Sequence, residues 1–215
     1  MRQSTFDFLG SLDTLIAVFI GAILATGGAL VAEIIQERTN RKRRERDAAR
    51  FFGDILMSID QILDFAFRSQ TIGDKWGRLS VRLFKTALRE AEVYERNRER
   101  LFDILDMKLR GRIHVHFLIE IFPIESLIES SEEIEGIRQT LDGDVKLSKK
   151  DAEKLNVQLT ELVNAREVGL AALKREHAKT EALCKDMEKM ARVKFSAFAD
   201  QDNLPIPPIA DDKSS

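Results

Sequence analysis

The residues best placed by type to do chemistry are His114, His116 and Glu120. On a helix His116 and Glu120 are i,i+4 neighbours, a usable spacing for two ligands of one divalent ion. His114 then points elsewhere, and no second group of ligands lies nearby in the sequence. Polar positions flanking a buried stripe are the ordinary alternative. His177 falls on an apolar stripe and reads as a satisfied core histidine. Cys184 is seven residues beyond it, two helical turns away and too far for a nucleophile–base hydrogen bond. The chain carries no phosphate-cradling glycine loop, no nucleophile elbow and no paired zinc-ligand motif. The one catalytic reading left is therefore a metal-dependent, membrane-bound enzyme using His114, His116 and Glu120. It stands second to a non-enzymatic role, for which no cofactor is expected.

Charge narrows the partners. The 215 residues hold 34 basic and 36 acidic side chains, so no global field draws the chain to nucleic acid. Local runs matter more. Between Glu37 and Arg50 stand seven basic residues (Arg38, Arg41, Lys42, Arg43, Arg44, Arg46 and Arg50) against three acidic ones. No aromatic residue interleaves these arginines, and nucleic acid is not expected as a partner. From Glu120 to Glu135 there are six glutamates (Glu120, Glu125, Glu129, Glu132, Glu133 and Glu135) and no Lys or Arg. They read as a solvated face or as a docking surface for a basic partner. The single cysteine excludes an intramolecular disulfide and fits a reducing compartment.

The element that would position all of this is an anchor. From Thr14 to Ala32 there are 19 residues without a charge, about 28 Å of helix against a hydrocarbon core of roughly 30 Å. Its nine large apolar side chains favour insertion by about 3–5 kcal/mol together. A buried helix of a soluble core is the competing reading; such helices are usually shorter and carry a polar stripe. The arginine run follows the span and only Arg2 precedes it, so the N-terminus is expected outside and the bulk of the chain in the cytosol. The cluster Arg38, Arg41, Lys42, Arg43, Arg44 and Arg46 then acts as topology determinant and contact for anionic lipid. Ala17, Gly21, Ala25 and Ala29 repeat every four residues, a small-residue ridge suited to pairing with a second copy or another membrane protein.

Beyond the span, Ala48, Phe52, Ile55, Leu56, Ile59, Ile62, Leu63 and Ala66 recur at helical steps, with no breaker between them and the anchor. One helix from about Leu12 to Ser69 is the economical expectation. A second is expected over Arg78–Arg110. A third, over Arg112–Arg138, is expected to kink or break at Pro123. A fourth begins at a Ser148 cap with Asp151 three residues on and runs past Cys184 to Phe195. Strict heptads from Ala152 place Arg166, Gly169 and Glu176 in the seam, which argues against a long two-stranded coiled coil and for a compact antiparallel bundle.

The reading is an all-α protein in which a single N-terminal transmembrane helix continues into a cytosolic antiparallel helical bundle. Its parts are a short extracytoplasmic N-terminus (1–11), the span (12–35), a basic juxtamembrane helix (36–50), the bundle (51–198) and a disordered tail (199–215). It is expected in the cell inner (plasma) membrane with its C-terminus cytoplasmic. The expected partners are the membrane, anionic lipid, and another protein or a second copy met through the anchor.

Overall fold

The computed structural model describes residues 4–143 and 147–195, with side chains from residue 17 onward. All regular structure among them is helical: α1 (Ser4–Ile72), α2 (Arg78–Arg96), a 3-10 turn (Arg98–Asp103), α3 (Met107–Asp142), α4 (Lys149–His177) and α5 (Thr180–Ala191). The expected tail lies outside the described residues. The chain divides into two compact units at Arg44/Glu45.

The first unit is helix. Among the described residues α1 is the one helix long and apolar enough to cross a membrane. Its positions 17–35 are all exposed, and a Cβ added at Gly21, Gly27 or Gly28 would meet no neighbouring atom within 4 Å.

The second unit is an antiparallel four-helix bundle, with α4 and α5 together forming the fourth helix. Its α1 stripe is buried as the periodicity predicts: Ala48, Phe52, Leu56, Ile59, Leu63 and Ala66 are all at most 1% exposed. Side-chain contacts fix the directions. Ser69 bonds Ser80 while Phe52 meets Tyr94 edge-on, so α1 and α2 run opposite ways. Lys85 pairs with Glu132 and Tyr94 stacks on Phe117, which orients α3 against α2. Gln158 reaches Glu133 and Arg112 reaches Asp186, which does the same for α3 and the α4–α5 pair. Short connections between consecutive helices leave antiparallel packing as the natural result.

Three boundaries differ from the periodic reading. The expected helix over Arg78–Arg110 stops at Arg96. The Asn97 amide folds back on the Val93 carbonyl at 2.8 Å, and a charged run follows with no apolar face to bury. The 3-10 turn still buries Leu101, and Ile104 is buried in extended backbone. The Asp106 carboxylate then accepts from the backbone N–H groups of Lys108 and Leu109 and opens α3. Gly111 thus lies inside a helix rather than between two.

Pro123 does not break α3. It is half-buried, while Ile121, Ile124, Leu127 and Ile128 hold the inner face on both sides of it. Packing along two turns outweighs one missing backbone bond.

The fourth helix is two. Ser148 caps α4 as expected, its Oγ accepting from the Asp151 N–H. The helix ends at His177, and α5 starts at Thr180, a residue 1% exposed whose hydroxyl faces α3. Arg166, Gly169 and Glu176 all face α3 within the bundle: Arg166 donates toward Ser131 at 3.4 Å and lies 4.1 Å over the Trp76 ring. Gly169 lets the Leu127 side chain approach to 3.6 Å from where its Cβ would be. At the far end Arg192 adopts a left-handed backbone (φ 55°), which turns Phe195 back onto Gly53 of α1.

Candidate functional site

Among the described residues, two of the polar clusters between the bundle's helices are built around His116 and His177. In the first, α3 contributes His116 and Glu120, α4 contributes Glu176 and α5 contributes Thr180, all at most 5% exposed. His116 Nδ1 is 2.8 Å from Glu176 Oε1, and its Nε2 is 3.0 Å from Thr180 Oγ and 3.4 Å from Glu120 Oε1. The Thr180 hydroxyl is also 3.4 Å from Glu120 Oε1. Glu176 and Thr180, on either side of the α4–α5 break, reach opposite nitrogens of one imidazole.

The electrostatics follow from burial. Desolvation pushes the Glu120 carboxyl up to about 8, and the neighbouring charges of Asp60 and Glu176 add to the rise. Burial also lowers His116, although the hydrogen bond and charge of Glu176 pull the other way. Burial alone would raise Glu176. The hydrogen bonds from Lys179 (2.6 Å) and His116 outweigh it, and the carboxyl stays below its ordinary value. Burial thus favours the neutral forms of His116 and Glu120, while Lys179 and His116 favour the charged form of Glu176, a set suited to joining helices.

This arrangement corrects the metal reading of His114, His116 and Glu120. His114 is two residues from His116, about 200° around the helix, and bonds the Tyr94 hydroxyl at 2.5 Å on another face. His116 uses both ring nitrogens on protein partners. Among the described residues the side chains with metal-ligand spacing are others: Asp60, Asp64 and His177.

They form the second cluster. Asp60 and Asp64 stand one turn apart on α1, and His177 closes α4. His177 Nε2 is 3.1 Å from Asp60 Oδ1 and 3.5 Å from Asp64 Oδ1. Its ring makes a T-shaped contact with Phe67, at 5.2 Å between centroids and 86° between planes. His177 is thus not a closed core histidine but a half-buried one with acidic partners. Burial raises Asp60, opposed by His177 and reinforced by Asp64 and Glu181.

The remaining sequence-level candidates lie on surfaces. Ala17, Gly21, Ala25 and Ala29 are exposed, as are Arg38, Arg41, Lys42, Arg43 and Arg44; Arg46 is half-buried. Arg44 pairs with Glu37 at 3.2 Å.

The run of six glutamates does not form one surface. Glu120 is interior, where a docking partner cannot reach it, because its position on α3 falls on the inward stripe with Phe117 and Ile124. Glu125, Glu129, Glu132, Glu133 and Glu135 are exposed. Three of these already have partners within the chain: Glu132 pairs with Lys85 at 2.5 Å, Glu133 accepts from Gln158 at 2.6 Å, and Glu135 accepts from Gln139 at 3.0 Å. Glu125 and Glu129 stand one turn apart on the outer side of α3, the i,i+4 spacing that puts both on one face. Cys184 is buried, and desolvation lifts its thiol to about 12.

Sequence reasoning missed Asp60, Asp64 and Glu176 as partners of the histidines. The i,i+4 spacing of the aspartates was legible, and a charged Glu176 in a heptad seam signalled a buried partner. The joining of each to a histidine more than 50 residues away was not. No protein-family model, curated protein or solved structure matches the chain.

Proposed function

We propose that the chain is a membrane-anchored, non-catalytic helical interaction module, a scaffold or regulatory subunit whose bundle stands at the cytoplasmic face of the inner (plasma) membrane. The observation that carries this reading is the exposure of the uncharged run that ends at Ala32. Side chains such as Phe19 and Leu24 are 68% and 70% exposed. Large apolar groups left in water are costly, and a bilayer is the solvent that removes the cost. The arginine run after the span supports an outside N-terminus, and the same run can hold anionic headgroups. The exposed glutamates of α3, Glu125 and Glu129 foremost, offer a basic partner a surface. The interior histidines serve packing and helix linkage, which favours binding over catalysis.

The test is membrane extraction. The full chain should stay in the pellet after an alkaline carbonate wash, and Leu24→Arg should release it, since an arginine at the centre of a span costs about 2.5–3.5 kcal/mol. A reporter fused after Ser215 should be active only in the cytosol. Release of the wild type by carbonate would end the anchor reading, and a reporter active only outside would invert the topology.

A further inference from the structure

We propose that Asp60, Asp64 and His177 form a divalent-cation site clipping α1 to the end of α4, with zinc the ion that fits best. The spacing is the first argument. A tetrahedral zinc with bonds of about 2.0–2.1 Å holds its ligand atoms roughly 3.3 Å apart. His177 Nε2 stands at 3.1 and 3.5 Å from the two Oδ1 atoms, and the three ligand atoms all lie within 4.8 Å of one another. An ion can settle among them with small side-chain adjustments and no helix movement.

Donor chemistry is the second argument. One imidazole and two carboxylates form a borderline set that zinc accepts, and zinc outranks manganese at such sites by the Irving–Williams order. Three protein ligands leave a fourth position to water. The T-shaped contact with Phe67 restrains the imidazole plane, so His177 loses little freedom on binding. Access exists as well: the His177, Asp60 and Asp64 side chains are 16%, 24% and 47% exposed, which gives an ion a path through Asp64.

The competing arrangement is a protonated His177 bridging both aspartates and also facing the Asp60 carbonyl oxygen at 3.3 Å.

The site does not rest on the membrane reading and is tested apart from it. The detergent-solubilised full chain is stripped with EDTA and titrated with Zn²⁺ alone by calorimetry. Thermal unfolding is followed with and without the ion, and Co²⁺ serves as a spectroscopic substitute. One Zn²⁺ per chain is expected, with a raised melting temperature and a tetrahedral Co²⁺ spectrum. Asp64→Asn and His177→Gln should each weaken binding at least tenfold, and His114→Gln should leave it unchanged. Asp64 is half exposed, so its variant keeps the metal-free melting curve and decides the matter even if His177→Gln unfolds. No stoichiometric uptake, or equal binding by wild type and Asp64→Asn, would overturn the site and leave the imidazolium bridge.

Discussion

Helix α1 carries two apolar runs that meet opposite fates. Over 17–32 the apolar character has no period and no charged face, and every side chain is exposed. Over 48–66 large apolar residues recur at three and four, and those positions sit at the centre of the bundle. A run that is apolar on all sides has no face for water and suits a solvent apolar on all sides. A run with one stripe has a face for each. Composition alone would rank the first run as the better core; periodicity ranks them correctly.

The sharpest way to break that contrast is to truncate one aromatic in each run. Phe52 is fully buried and meets Tyr94 and Phe117 edge-on at 5.9 and 6.4 Å. Phe52→Ala should cost about 3–5 kcal/mol of bundle stability, read by denaturant unfolding. Phe19→Ala should leave the same transition within about 0.5 kcal/mol. Equal losses would mean that the first run is also packed against protein.

Two glycines sharpen the comparison on a finer scale. A Cβ at Gly53 would collide with the Phe195 ring, whereas a Cβ at Gly21 meets nothing. Gly53→Ala should cost about 1–3 kcal/mol through overpacking, with loss of protection around Phe195 in hydrogen exchange. Gly21→Ala should not move the bundle transition.

The bundle's dry interior should also show in its pH response. Glu120 has its carboxyl raised from 4.5 to about 8. The folded state holds this proton more tightly than the unfolded chain, so the contribution is complete below pH 4.5 and fades as pH rises through 8. Glu120→Gln should therefore gain on the wild type steadily across that window and run parallel to it below. A difference between the two proteins that is flat with pH would show the carboxyl to be ordinary. The smallest effect expected is at Cys184. Its thiol, 3% exposed and lifted to about 12, should resist iodoacetamide at about pH 8 until the bundle unfolds.

Much of this was legible in the chain. The stripe from Ala48 to Ala66, the one on α2 from Leu83 to Tyr94, and Ile113, Phe117, Ile121, Ile124 and Ile128 on α3 are periodic signals, and each marks the buried face observed. The Ser148 cap was local chemistry and appears where expected. Boundaries were less legible because they depend on competition. The signal for stopping α2 at Arg96 is one amide and a charged run, weaker than the apolar residues that continue on either side. A kink or break is the expectation at Pro123 because the cost of a proline is local, while the inward stripe that carries α3 through it is buried by the rest of the bundle. The glutamate run shows the same limit: counting charges grouped Glu120 with Glu125 and Glu129, and the helical period separates them.

The sequence by itself determined the helical class, the apolar N-terminal run and the faces that pack, because those follow from composition and from a 3.6-residue period. Only the tertiary structure decided which polar residues meet. His116 takes Glu176 and Thr180 rather than His114, and His177 takes Asp60 and Asp64, because antiparallel helices bring together positions separated by 60 to 117 residues. Periodicity says which way a side chain faces; the axial register between helices, set by loop lengths and by the α4–α5 break, says what it faces.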